Sequence, residues 1–75
     1  MTQEAFEQSL KKNIHRMPFI PFVVTLVDGN RIVIEEPAVV FNGRVAGYLS
    51  PSDDLIDFSC EQVQKIEVLK PEMQP

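Results

Sequence analysis

The chain predicts a mainly β fold: a small, partly open barrel of five or six antiparallel strands with an N-terminal α-helix. Three observations carry this expectation. Two β-branched runs, Phe22 to Val27 and Arg31 to Ile34, flank Asp28-Gly29, and Asp-Gly accepts the positive φ angles of a two-residue hairpin turn. Apolar residues recur at helical spacing over residues 2–15. From residue 38 onward, short apolar or alternating runs are separated by Asn-Gly, Pro-Ser-Asp-Asp and Glu-Gln, which are turn compositions. Closing so few residues into a barrel leaves few exposed edges.

Thr2 is a suitable N-cap for the helix, because its hydroxyl can accept from an otherwise unpaired backbone N–H. Phe6, Leu10, Ile14 and Met17 fall at spacings that place them on one face. Glu4 and Glu7 lie early and Lys11, Lys12, His15 and Arg16 late, a polarity that complements the helix dipole. Pro18 and Pro21 end the helix and extend the chain.

The first strand, about residues 22–28, is apolar or β-branched on both sides. It is therefore expected to be covered on both faces, by the barrel interior and by the helix. Beyond the turn, residues 31–36 place Ile32 and Ile34 on one side, and Pro37 interrupts the ladder. Residues 38–41 and 45–50 flank Asn42-Gly43, a second hairpin signal, with Gly47 marking a bulge or bend. Residues 55–60 turn Ile56, Phe58 and Cys60 inward. Glu61-Gln62-Val63 forms a short turn before a last strand at 65–69, and residues 71–75 form a polar, Pro-bounded tail expected to be disordered. A single domain thus spans residues 1–70.

At 75 residues a chain buries only about 60% of its unfolded surface and stands close to the limit of independent stability. Cys60 is the only cysteine, so no internal disulfide can form, and His15 and Cys60 make a poor metal set. Self-association is the remaining support, and a homo-oligomer is expected. With 44% hydrophobic and 24% charged residues the composition is that of a folded protein. It shows no signal peptide and no run long enough to span a membrane, so a cytoplasmic location without membrane contact is expected.

The residues carry little reaction chemistry. His15 sits among Lys12 and Arg16 at a helix end, where it complements the dipole. Cys60 at an inward position acts as a small hydrophobe. Glu35-Glu36 point to opposite sides of a strand and Asp53-Asp54 belong to a turn. No phosphate-binding glycine loop, nucleophile elbow or Cys-x-x-Cys is present. A non-enzymatic protein is expected, with no cofactor, metal or small-molecule substrate. Two features suit nucleic acid instead. Lys11, Lys12 and Arg16 form a basic cluster that suits a phosphate backbone. The Phe41-Asn42-Gly43-Arg44 turn combines an aromatic, an amide and a guanidinium, the groups that stack on and read single-stranded bases. The net charge of −4 weighs against RNA as the main partner.

The order helix, strand, Asp-Gly hairpin, bent strands and last strand after a one-turn connector resembles the Sm-like fold over about Thr2 to Leu69. Its closest echo is the bacterial Sm-like RNA chaperone, whose helix leads into a Leu-Val-x-Gly turn similar to Leu26-Val27-Asp28-Gly29. The chain also looks like short bacterial proteins with a Pro-Phe-x-Pro-Phe lead-in, here Pro18 to Phe22; that likeness brings no function. The Sm-like resemblance implies an Sm-like or SH3-like small barrel assembled into rings by edge-strand pairing. Of the uridine-reading loop only Asn42 matches, since Ala38 stands at the place of the family's Asp. Ser59-Cys60-Glu61 stands where the bacterial chaperone has Tyr-Lys-His. The expected function is a self-assembling interaction module, with an RNA-binding ring as the alternative.

Overall fold

A computed structural model describes residues 1–69; the tail expected at 71–75 lies outside them. Helix α1 (Gln3–Ile14) is followed by β1 (Phe22–Leu26), β2 (Arg31–Ile34), β3 (Val39–Asn42), β4 (Val45–Leu49), β5 (Leu55–Ser59) and β6 (Val63–Val68). The strands form two three-stranded antiparallel sheets, ordered β2-β1-β6 and β3-β4-β5. The chain passes between them twice, through Glu35–Ala38 and through Cys60–Gln62. Residues 39–49 are therefore two strands of a hairpin.

Thr2 caps α1, its Oγ1 accepting from the Ala5 N–H at 3.2 Å. Phe6 and Leu10 are fully buried, and Phe6 meets the Phe58 ring edge-on at 6.0 Å. The expected apolar stripe fails at its far end. The helix stops at Ile14, so Met17 lies outside its periodicity and is 90% exposed, while Asn13 takes the buried position. Asn13 tolerates burial partly because its Nδ2 donates to the Ser9 carbonyl at 2.7 Å.

One core joins the two sheets and the helix: Phe6, Leu10, Phe22, Val24, Ile34, Val39, Ala46, Tyr48, Phe58, Cys60 and Val63. Ile56, Phe58 and Cys60 point inward as their alternation predicts, with Ile56 half-buried. The helix covers this same core, packing on β3 and β6 rather than on the far face of β1. Val23, on that far face between Val33 and Glu67, is nonetheless buried. Val27, beyond the strand, is exposed.

Both hairpin turns depart from the expected residues: the first loop gains one residue, and the second keeps two but is shifted by one. Leu26 N–H bonds to the Asn30 carbonyl and Gly29 N–H to that of Leu26, so the first loop holds Val27, Asp28 and Gly29. Only Gly29 has a positive φ there, +95°, which matches a type I turn closed by a left-handed residue and not a type I′ turn. The Asp28 carboxylate instead accepts from the Asn30 N–H and side-chain amide. In the second hairpin Asn42 pairs with Val45, leaving Gly43-Arg44 as the loop, with φ +65° at Gly43 alone. A positive φ at the first central residue alone is the type II′ pattern. Asp53, at φ 68°, plays in the Ser50–Asp54 loop the part that Gly29 plays in the first.

The β4 register runs unbroken through Gly47, and the irregularity falls in the β1–β6 ladder, where Thr25 pairs with Lys65 and Leu26 with Val63, leaving Gln64 as the extra residue on β6. The last strand starts at Val63, two residues early, because Val63 already pairs with Leu26 across that irregularity. Between the sheets, the buried Tyr48 hydroxyl accepts from the Glu35 N–H at 3.0 Å. Tyr48→Phe removes that acceptor and should cost about 1–2 kcal/mol, read from urea unfolding. Phe6→Ala, which opens a cavity between helix and sheets, should cost about 3–5 kcal/mol. An unchanged midpoint for Phe6→Ala would mean the helix is not part of the cooperative unit.

Candidate functional site

In β3-β4-β5 the alternation sends Val39, Phe41, Ala46, Tyr48, Ile56 and Phe58 to the core side. The opposite face then carries three cross-strand rows: Ala38, Leu49 and Leu55; Val40, Gly47 and Asp57; Asn42, Val45 and Ser59. Four of these side chains are large, apolar and exposed: Val40 77%, Leu55 68%, Val45 56% and Leu49 47%. A strand face bathed in water normally alternates to polar residues, whereas this one carries neighbouring apolar side chains in successive cross-strand rows.

Gly47 shapes the patch. It lacks a side chain in the middle row, and the face forms an open depression of about 800 Å³ over it. A Cβ at Gly47 would stand 3.2 Å from Asp57 Oδ1 and 3.6 Å from Leu55 Cδ1. The Asp57 carboxylate thus leans over the strand at the centre of an apolar surface. The ion pairs among the described residues are Arg44–Glu61 and Lys65–Glu67, so Asp57 has no cationic partner there. Asn42, Ser59 and Gln62 supply the polar margin.

The residues singled out for nucleic acid separate into two groups. Lys11 and Lys12 lie in the last turn of α1 and Arg16 just beyond it. Asn42 and Arg44 lie at the β3–β4 hairpin, beside Gln3 at the other end of the helix. Twelve helical residues span about 18 Å, so the two groups form no single patch. Arg44 is engaged with Glu61 at 3.5 Å, both well exposed. Asn42 joins the margin of the apolar depression instead. Lys11, His15 and Phe41 do share a small depression with Glu7 and Gln8.

Periodicity assigned Val40, Val45 and Leu49 to strands without a side, and Leu55 stood at the edge of a turn. The register between strands is what gathers them. The signal present in the sequence was their apolar character at positions alternating with Val39, Ala46 and Tyr48. Among the described residues no group of three or more His, Cys, Asp or Glu is placed to hold a metal ion, and no helix is long and apolar enough to cross a membrane. No protein-family model matches the chain, and no curated protein or solved structure is significantly similar to it.

Gly47 has no positive φ, so its flexibility is not needed by the backbone. Gly47→Ala should raise stability by about 0.5 kcal/mol, because Asp57 is exposed and free to turn away from the new methyl. A loss above about 1 kcal/mol in thermal or urea unfolding would show that the carboxylate is held in place.

Proposed function

We propose that this protein is a non-enzymatic, self-assembling small-barrel module whose copies join through sheet edges. The observation that carries the reading is the combination of a small core with two open, unlike strand edges, β5 bordering the apolar sheet face and β6 at the edge of the other sheet. Cys60 N–H bonds to the Arg44 carbonyl and Ser50 N–H to that of Asp54. Alternation from those pairs turns the main-chain groups of Leu55, Asp57 and Ser59 away from β4. Ser59 is already satisfied, its N–H by Gln62 Oε1 at 2.9 Å and its carbonyl by the Gln62 N–H. On β6, the bond from Leu69 N–H to the Pro21 carbonyl sets Lys65 and Glu67 facing β1, which leaves Ile66 and Val68 facing outward. An antiparallel contact between β5 of one copy and β6 of the next pairs two open residues with two open residues.

Strand order supports an Sm-like reading of this assembly. β2 and β3 succeed each other across Pro37 without pairing, so they read as halves of one bent strand. The order β6-β1-β2/β3-β4-β5 then agrees with the curled sheet that the resemblance implies. The small depression shared by Lys11, His15 and Phe41 favours the second reading, an RNA-binding ring.

Light scattering over a concentration series, with and without a mixed short-RNA pool, tests both. A discrete oligomer indifferent to RNA is the expected result, and a monomer up to high micromolar concentration would overturn the proposal. Assembly that requires RNA and collapses as salt rises would favour the nucleic-acid reading. Val68→Pro removes an outward N–H without breaking a β6–β1 ladder bond. It should leave a folded chain whose association is weakened at least about tenfold.

A further inference from the structure

We propose that the depression over Gly47 is the receptor for a second copy of this chain, which inserts its Arg16-Met17-Pro18 knuckle with Met17 over Gly47 and Arg16 against Asp57. The inference rests on the self-assembly reading and names a contact within it.

The receptor's chemistry defines what fits. Val40, Val45, Leu49 and Leu55 surround the depression with apolar side chains, and Asp57 Oδ1, 3.2 Å from where a Gly47 Cβ would stand, turns aside for an apolar group to sit at the centre. Asp57, leaning into that space without a cation among the described residues, requires a positive charge next to the apolar group. A face-to-face contact between two such surfaces fails this requirement. Across a two-fold axis through the middle row it would bring Asp57 against its own copy in an apolar interface, where like charges are costly.

The complementary piece stands elsewhere on the same molecule. Met17 is the most exposed large hydrophobic residue among those described, at 90%, and methionine adapts its shape to irregular apolar sites. Arg16 precedes it and Lys12 lies one turn earlier, so the plug carries the charge Asp57 lacks. Neither Arg16 nor Lys12 belongs to an ion pair among the described residues. Knuckle and receptor do not touch within one copy, since Met17 is not among the residues lining the depression. Joining them is therefore a head-to-tail contact, the kind that generates a ring when its rotation closes and a filament when it does not.

The contact is also continuous with the proposed edge pairing. Leu69 N–H bonds to the Pro21 carbonyl, so the segment that follows Met17 enters β1 beside the C-terminal end of β6. An antiparallel β5–β6 contact sets that end of β6 against Leu55, and Leu55 borders the depression. One pair of neighbouring copies can thus use both surfaces.

The test is a charge exchange read by sedimentation equilibrium on the full chain. Met17→Asp changes an exposed side chain, so at a dilution where both proteins are dissociated its thermal unfolding should match that of the unaltered chain. It should weaken association at least about tenfold by setting a carboxylate against Asp57. Asp57→Lys alone should weaken it similarly by facing Arg16. Met17→Asp combined with Asp57→Lys should recover most of the loss, to within about threefold of the original association constant, as coupled residues in contact do. An oligomer that forms normally with Met17→Asp overturns this contact while leaving self-assembly intact. Two single variants whose losses simply add in the double variant also overturn it. A chain that is monomeric without substitution overturns both the contact and the assembly on which it rests.

Discussion

The two sheets of this protein share no strand pairing, so side chains hold them together. That constraint falls on a few large residues. Phe58 from one sheet and Phe6 from the helix meet edge to face, while Phe22, Ile34 and Val63 from the other sheet complete the same cluster. Tyr48 adds the one side-chain bridge that is also a hydrogen bond, from the Glu35 N–H at the point where the chain leaves β2. The N–H at that corner lies beyond the β2 ladder, and the Tyr48 hydroxyl gives it a protein partner. The helix is part of this closure because the space it fills is the gap between β3 and β6.

The same economy explains the edges. With six strands of four to six residues, the chain spans the core but does not close the hydrogen-bonded ring. Where it turns from β5 into β6, local groups absorb part of the exposure. Gln62 caps Ser59, and the Met1 amino group donates to the carbonyls of Cys60 and Val63, at 3.1 Å each. Among the described residues, Leu55, Asp57, Ile66 and Val68 have no such local cover. An edge left open next to an apolar face is unfavourable for an isolated monomer, and association removes both defects at once.

How far the sequence anticipates this structure depends on the range of the interactions involved. The helix with its Thr2 cap, the six strands and the inward set of β5 are local matters, decided by periodicity and turn chemistry within a few residues. The turns themselves were legible as turns but not in type. Asp28 favoured its own side-chain bonds to Asn30 over a positive φ, and one loop residue was added. Met17 was misplaced because its spacing continued a stripe beyond the helix that produced it. The nucleic-acid candidates were read as clusters from chain proximity, whereas the fold sets Lys11 and Arg44 at opposite ends of α1. The apolar face was invisible for the same reason in reverse, since Val40, Gly47 and Asp57 become neighbours only through two cross-strand registers.

That face also separates two explanations of the small core. If the chain were a monomer with an imperfect surface, its exposed apolar residues should be scattered, as they are on most proteins. Four of them instead occupy one side of one sheet, arranged around a glycine and a carboxylate that has no ion pair among the described residues. A glycine within a regular strand weakens it and offers no packing in return unless something approaches closely there. Backbone geometry does not require Gly47, and the gap it leaves opens to the outside of the molecule, bordered by Asp57 and Leu55 at 3.2 and 3.6 Å from where a Cβ would stand. An approaching group that fills it must bring a cation to Asp57, and the exposed methionine beside Arg16 meets both conditions within the same chain.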